Sequence, residues 1–367
     1  MQEQRRGAGD IALTLDKRDK MKYIYPGVIH IHTTYSDGTS DIKKIAKIAR
    51  KFGLSWIIIT DHNSLEGLHN NEEGFYDGVA VIIGNEVSPA DSDHFLAFDV
   101  KKETDIKLAP QEVIYDVKKQ GGFGFVAHPD ESLSRKNPYP ALRWTDWNMN
   151  DVEGLEIWNF ASDWVDLYIP KYGLLQGLLR HRLLKGPTKN TLKWWDDLNN
   201  KNSIIIPGIG GVDAHSLKIR RGPLCLSFAD YADTFQTITN MAFLENKITN
   251  NFDEAKKQIL NAVKSGNNII VNRYWNNKND YPLFYAEDTE KRVYPGETIN
   301  LTKYTKLMAK ISKKATIRLI NDGQLIIEQF SDHLEFSKPD IGKYRLEVYY
   351  KNKPWIFTNP INICNED

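Results

Sequence analysis

Cysteine is nearly absent from this sequence: the 367 residues include two, Cys225 and Cys364. Two distant cysteines build neither a disulfide framework nor a thiolate metal site, so any metal ligands here are nitrogen and oxygen. A charge excess is also missing, since Lys plus Arg and Asp plus Glu both number 48. That balance argues against a long nucleic acid as partner, because such proteins usually carry a basic excess. It leaves room for a small anionic substrate, which needs only a local positive site. No apolar run approaches the roughly 18 residues needed to span a bilayer. The first twenty residues are polar and lack a signal-peptide core. The chain therefore reads as soluble, cytoplasmic by default or exported if a signal has been removed; the pattern is silent on oligomeric state.

What is present is a globular composition, 41% hydrophobic and 26% charged, on a chain long enough for one large domain and a small one. Short runs rich in Val, Ile or aromatics recur: Val28–Ile31, Trp56–Ile59, Val79–Ile83, Phe95–Phe98, Phe123–Ala127, Leu155–Trp158 and Ile204–Ile206. They read as buried strands. Amphipathic stretches lie between them, as in Asp41–Phe52, Gln111–Lys119 and Phe252–Lys264, each closed by a glycine. This alternation predicts parallel strands with crossover helices, hence an α/β barrel or open sheet. From about Tyr281 the helical period disappears. Ala315–Ile320 and Gln324–Phe330 flank Asn321-Asp322-Gly323, a hairpin signal, and Lys343–Tyr350 and Trp355–Thr358 read as further strands. The expected organisation is a tail over 1–22, an α/β unit over 23–280 and a small all-β sandwich over 281–367.

The chemistry gathers at the ends of the runs. His30-Ile31-His32 lies on the first strand, where period 2 points both imidazoles to one face. Asp37 follows in Ser36-Asp37-Gly38. The next strand ends in Thr60-Asp61-His62, the third in Gly84-Asn85-Glu86. His94 opens the fourth run, His128-Pro129 closes the fifth, and Asp213-Ala214-His215 follows the seventh. Six of the nine histidines fall in these motifs. In an α/β barrel the C-terminal ends of the strands are where catalytic residues gather.

In this order, the motifs H-x-H, S-D-G, T-D-H, G-x-E, H, H-P and D-A-H resemble the PHP (polymerase and histidinol phosphatase) superfamily over about residues 27–275. Tyr231-Ala232-Asp233-Thr234-Phe235, the helix up to Ser265-Gly266, and Pro354 to Pro360 are similar to its carbamate-hydrolase-like (CehA/McbA-type) branch, which often carries a C-terminal β-sandwich. The resemblance implies a distorted (β/α)7-type, TIM-like barrel followed by an Ig-like sandwich. It also implies a division of ligands. His30, His32, Glu86 and Asp213 would hold a first metal. Glu86 would bridge to a second held by His94 and His128. Asp37, His62 and His215 would hold a third. Asp37 stands where some relatives have His.

Two to three divalent ions, Mn, Zn or Fe, suit such an all-N/O set. They would activate a water to attack a phosphoryl or carbonyl centre. The expected activity is hydrolysis of a small phosphodiester or phosphomonoester, with Glu86, Asp213 and His215 central. The alternatives are a carbamate, ester or amide hydrolase and a metal-braced binding module. Arg220 and Arg221, with Lys218 beside them, are candidates for gripping a phosphate, and Asn159 for lining the pocket. Asp61 reads either as an acceptor for a ligand imidazole or as a turn cap. A packing ion pair is expected of Arg273. Trp194 and Trp195 read as helix core; Trp144, Trp147 and Trp164 read as a packed helical connection or a lid. His69, His181 and His333 match no motif and read as surface residues.

Overall fold

The computed structural model describes residues 11–13, 22–131, 141–149, 151–167, 181–221, 224–276 and 280–366; the side chains of 11–13, 167, 219–221 and 224–226 lie outside that description. The architecture is mixed α/β with one large sheet. Its first strands are β1 (Ile11–Leu13), β2 (Lys22–Ile31), β3 (Trp56–Ile59), β4 (Gly74–Tyr76), β5 (Val79–Ile83), β6 (Asn85–Val87), β7 (Phe95–Phe98), β8 (Phe123–Val126), β9 (Leu155–Asn159) and β10 (Gly208–Ala214). Parallel pairing joins β10 to β2, β2 to β3 and β3 to β5. The chain passes from β5 through Gly84 into β6, which pairs antiparallel with β7, and β7 pairs antiparallel with β8. Parallel pairing then leads from β8 to β9 and back to β10. These pairings, with the chain itself bridging β5 to β6, make a circuit of strands in which β7 is reversed. That reversal departs from uniform parallel strands. It also explains why His94 precedes its run while the other ligands lie at or beyond the C-terminal ends of theirs.

Alternation along the strands builds two cores. Val28, Ile57, Ile59, Val81, Ala97 and Val126 face one cluster, while Ile29, Ile58, Ile82, Leu96, Phe98 and Phe125 face another. The first cluster takes the apolar faces of α1 (Ile42–Lys51) and, beyond the short α2 (Glu66–His69), of α3 (Pro110–Lys119). The Asp41 carboxylate caps α1 by accepting from Lys44 N at 2.8 Å. Three further helices matter here: α4 (Phe160–Leu167), α5 (Lys189–Lys201), which carries Trp194 and Trp195 into the core, and, past β10, α6 (Tyr231–Thr234).

The run Ile204–Ile206 is not a strand. Ile204 is exposed, and the Ile206 carbonyl accepts from Trp195 Nε1 at 2.7 Å and from Asn199 Nδ2 at 3.1 Å, closing the end of α5. The strand lies one step later, in the glycine-rich β10. Of the tryptophans in the preceding connection, Trp144 is buried outside any helix, Trp147 packs on Trp194 with ring centroids 4.6 Å apart, and Trp164 sits on α4.

The rest of the chain is mostly strand: β11 (Leu217–Arg221), β12 (Leu224–Phe228), β13 (Ile238–Leu244) and, after α7 (Phe252–Ser265), β14 (Asn268–Asn272). Then come β15 (Leu283–Glu287), β16 (Arg292–Val293), β17 (Thr298–Asn300), β18 (Lys306–Asn321), β19 (Gln324–Ser337), β20 (Gly342–Tyr350), β21 (Lys353–Thr358) and β22 (Ile361–Cys364). From residue 283 onward the described residues form no helix. Asp322 and Gly323 are both left-handed, with φ 49° and 83°, and Asn321 pairs with Gln324. That is the two-residue type I′ hairpin the sequence signals.

This C-terminal region is stitched to the strand circuit rather than hung from it. The front half of β2 pairs with β13, β13 with β14, and β14 with β21, in register Ile270↔Phe357. The Asn359 amide closes the seam, with Oδ1 accepting from Gly208 N at 2.6 Å and Nδ2 donating to Gly208 O at 2.9 Å. Within residues 1–22, β1 pairs antiparallel with β2, in register Ile11↔Ile24.

Candidate metal centre

The ligand-type residues reach one point because the backbone is bent there. On β2, Val28 and Ile31 face the same cluster, although a regular strand would turn them to opposite faces. The change of parity occurs at His30, whose φ is +70°, opposite a bulge between Gly211 and Ala214 of β10. Ile29 faces inward, and both His30 and His32 are then turned to the interior with it. His128, after β8, and Asp213, on β10, are also left-handed, with φ 27° and 52°. Asp37 rides on a tight turn gripped by Asp61, whose carboxylate accepts from Thr33 N (2.6 Å), Thr33 Oγ1 (2.7 Å) and Ser36 Oγ (2.6 Å). Asp61 is therefore the turn clamp, not an acceptor for a ligand imidazole.

Three carboxylates organise the cluster. Glu86 is the hub: Oε2 lies 3.2 Å from His30 Nε2, 3.4 Å from His32 Nε2 and 2.9 Å from His62 Nδ1. Its Oε1 lies 3.0 Å from His94 Nδ1 and 3.4 Å from His128 Nε2. Asp213 Oδ1 lies 3.5, 3.2 and 3.4 Å from ring nitrogens of His30, His32 and His215. Asp37 Oδ1 lies 3.1 Å from His215 Nε2, 3.8 Å from His62 Nε2 and 3.9 Å from His32 Nδ1. All nine sequence-predicted ligands thus meet in one network. Four overlapping groups have donor atoms close enough to share an ion; the largest is His32, Asp37, His62 and His215.

All the imidazoles of the cluster except His32 have a further ring-nitrogen partner. His30 Nδ1 faces Glu156 Oε1 (2.8 Å), His62 Nδ1 faces Ser88 Oγ (2.7 Å) and His94 Nε2 faces Pro89 O (3.2 Å). His128 Nδ1 faces Leu142 O (3.2 Å) and His215 Nδ1 faces Asp213 O (3.0 Å). A partner on one ring nitrogen fixes the ring and presents the other as a ligand.

Buried charge without ordinary partners marks the centre. Glu86, His30 and His32 are fully buried. His30 Nε2, both ring nitrogens of His32, Glu86 Oε2 and Asp213 Oδ1 are buried and lack a hydrogen bond. Orphans of this kind are costly in a dry interior unless something else satisfies them, and all of them point at the shared centre. Burial pushes the Glu86 carboxyl up, but the imidazoles of His30, His62 and His94 hold it well below the usual range; His30 and His215 act likewise on Asp213. Burial pushes His128 and His215 down, yet neighbouring carboxylates raise both to about 9. His32, beside His215 and His62, is lowered by burial to about 3. Anionic oxygens and imidazoles at van der Waals range, with orphaned donor atoms between them, fit divalent cations of the N/O-seeking kind.

The other sequence candidates fare unevenly. Asn159 is next to the cluster, but its amide is engaged at both ends, by Glu156 Oε2 (3.0 Å) and Ser162 N (2.9 Å). Lys218 is exposed on β11. Arg220 and Arg221 pair through the backbone with Cys225 and Leu224, and their side chains lie outside the described residues. Arg273 makes no ion pair among the described residues; its Nη1 is buried without a hydrogen bond. His69 and His333 are exposed, whereas His181 is half-buried and stacks on Tyr274 at 5.2 Å. Sequence reasoning missed Glu156, buried beside His30. The available signal was a lone carboxylate inside the apolar run Leu155–Trp158.

Residues 29–149 match the PHP domain family. An uncharacterised protein of Methanocaldococcus jannaschii is 31% identical over 148 residues, which are 36% of this chain and 80% of that protein. A crystal structure from Bacteroides vulgatus, of a two-domain protein containing a predicted PHP-like metal-dependent phosphoesterase, aligns with TM-score 0.46 and 14% identity over 95% of this chain and 97% of that one. A candidate metal-dependent phosphoesterase from Bifidobacterium adolescentis aligns with TM-score 0.30 and 18% identity over 57% of this chain and 93% of its own. Seven of the nine ligand positions, from His30 to His128, lie inside the segment that matches the PHP domain family.

Proposed function

We propose that this chain is a metal-dependent phosphoesterase acting on a small phosphodiester or phosphomonoester. Residues 23–280 would be the catalytic unit, a distorted (β/α)7-type barrel of the carbamate-hydrolase-like branch, and residues 281–367 a non-catalytic sandwich. The observation that carries the reading is the convergence of nine ligand-type side chains on orphaned, buried donor atoms. His30, His32, Glu86 and Asp213 would hold one ion. Glu86 with His94 and His128 would hold a second, and Asp37, His62 and His215 a third. Divalent ions held there supply Lewis acidity and bring the pKa of water toward neutrality. The chain's own part is to keep Glu86 and Asp213 ionised, to fix His30, His94 and His128 by their outer nitrogens, and to exclude bulk water from the floor of the site.

One observation favours a second reading, hydrolysis of a carbamate, ester or amide. A recess of about 250 Å³ adjoins His128, and Asp130, Glu131, Asp163 and Asp166 line it. Lys185, the one lysine or arginine among its described lining residues, is bonded to Asp166 at 3.1 Å. Acidic walls repel a dianionic group and suit a neutral or cationic one. A panel of chromogenic phosphate and carboxyl esters, run with elemental analysis, separates the readings. Turnover of phosphoesters supports the first, and turnover confined to carboxyl esters or carbamates supports the second. A metal-loaded protein inert on both would be a metal-braced binding module. Less than one metal per chain, unrestored by Mn, Zn or Fe, would overturn all three. If phosphoesters are the substrates, Arg220→Ala or Arg221→Ala should cost about 2–3 kcal/mol in kcat/KM, as for a charge-assisted bond. Neutral esters should be nearly unaffected, and equal losses on both substrate types would assign the arginines to the fold.

A further inference from the structure

Glu156 is a fully enclosed carboxylate that none of the nine ligand positions accounts for. It sits on β9 and turns inward between Leu155 and Ile157, which face the helix-side core. Three donors converge on it. His30 Nδ1 lies 2.8 Å from Oε1, while His128 N and Asn159 Nδ2 lie 2.8 and 3.0 Å from Oε2. One oxygen thus fixes a ring proposed to hold the first metal, and the other fixes the backbone of a residue proposed to hold the second. The neighbouring strand leaves space for this carboxylate. A Cβ on Gly211 of β10 would stand 1.6 Å from Glu156 Oε1 and 3.0 Å from His30 Cβ. Glycine at 211 is therefore a steric requirement of the Glu156–His30 contact.

We propose that Glu156 is a positioning residue that sets His30 and His128 relative to each other, and so couples the first and second metal positions, with Gly211 kept small to admit it. A carboxylate suits the task because it can accept from all three donors. A glutamine cannot. Its single oxygen can serve His30 or the His128–Asn159 side, and its NH2 then meets a donor on the other. A charged acceptor on the outer nitrogen also makes the imidazole a stronger ligand. The inference rests on the metal-site reading but not on which bond is cleaved.

The test is chelator competition for Zn2+ and the visible spectrum of the Co2+-loaded protein, on wild type, Glu156→Gln and Gly211→Ala, with circular dichroism as the check on folding. Both variants should bind Zn2+ about 10–100-fold more weakly, as for loss of a group that orients a ligand. Both should change the Co2+ bands, because a reoriented His30 alters coordination and a merely structural role does not. Folded Glu156→Gln with wild-type affinity and spectrum would overturn the proposal. If Glu156→Gln does not fold, Asn159→Ala removes one of the three donors. A weaker Zn2+ affinity with shifted Co2+ bands in that variant would support the proposal, and unchanged values would overturn it. Wild type that binds neither ion would instead refute the metal-site reading itself.

Discussion

The ligand ends of the strand circuit and the C-terminal strands are built on opposite terms. At the ligand end, His30, His128 and Asp213 are left-handed without being glycine, and buried polar atoms lack hydrogen bonds. Among the C-terminal strands, the left-handed non-glycine residues Asp322, Lys338, Lys351 and Asn352 lie between strands, as does Gly323. Charges there find partners as well. Arg345 bonds Asp196 and Glu347, each at 2.7 Å, and Arg292 bonds Glu287. A left-handed non-glycine residue costs on the order of 1–2 kcal/mol. Such strain persists where the surrounding sheet over-determines it. The strained, charge-rich end and these ion-paired strands belong to one continuous sheet.

The largest expected effect breaks the strained end. Glu86→Gln and Asp213→Asn keep shape but remove the charge at which the imidazoles meet. Turnover should fall by at least about 10²-fold, as when one charge-stabilising group leaves a reacting centre, and metal content should drop. Because each carboxylate is surrounded by imidazoles rather than by core, circular dichroism should remain that of the parent. Normal metal content with activity within tenfold of wild type would mean that Glu86 is not the bridge.

The next effect breaks the C-terminal strands and should leave the centre intact. Trp355 is buried, packs near Tyr350 with centroids 5.7 Å apart, and donates from Nε1 to Asn276 Oδ1 at 2.6 Å. Trp355→Ala should cost about 3–5 kcal/mol, read as a fall in the denaturation midpoint. Metal bound per folded chain should not change. Loss of metal before unfolding would show that the β14–β21 seam transmits to the centre.

The same contrast governs what the sequence discloses. Regular elements were legible because their chemistry is periodic: β3, β5 and β7 coincide with their apolar runs, and α1 and α7 carry the caps and glycine stops that mark helix ends. The ligand set was legible because its residue types sit at strand ends. Three features were not. Gly208, Gly210 and Gly211 hide β10 from any hydrophobic pattern, since their room is taken by Trp195, Ile238 and Glu156. The reversal of β7 is a matter of pairing, announced only by His94 standing before its run. The parity switch at His30 depends on a backbone angle that the neighbouring strand imposes.

A third prediction sharpens the comparison through pH. His128 and His215 are raised to about 9 in the metal-free protein by neighbouring carboxylates that outweigh burial. A group raised in the folded state stabilises fully below its unfolded value near 6.5, and that contribution is lost as pH rises through about 9. Metal-free protein should therefore be more stable at pH 6.5 than at pH 9. Metal binding must displace these protons, so apparent affinity should rise over the same window, by about tenfold per pH unit for each proton displaced. Denaturation midpoints of chelated protein and Zn2+ competition at pH 6.5, 7.5 and 9 read both slopes. Parallel slopes would mean that the cluster does not hold protons where the ions belong.

The smallest effect concerns a left-handed residue of the C-terminal strands. Gly323 has φ +83° in the β18–β19 hairpin, and a Cβ there would come 3.1 Å from Cβ of Asp196 on α5. Gly323→Ala must therefore accept a left-handed alanine and a tight approach to the helix. The cost should be about 1–2 kcal/mol, close to that of the left-handed conformation itself, because the far side of the turn is open to solvent. Asp196 also accepts from Arg345, so part of the strain would pass to that pair. A urea titration of metal-free protein measures the cost. Activity and metal content should be those of the parent, because the hairpin contributes none of the nine ligand positions. The contrast with His30 is the point: a similar backbone angle is relieved by glycine at the hairpin and carried by a histidine at the centre. If Gly323→Ala were neutral, the turn would not require its glycine, and left-handed backbone at His30 and Asp213 would lose its standing as a mark of function.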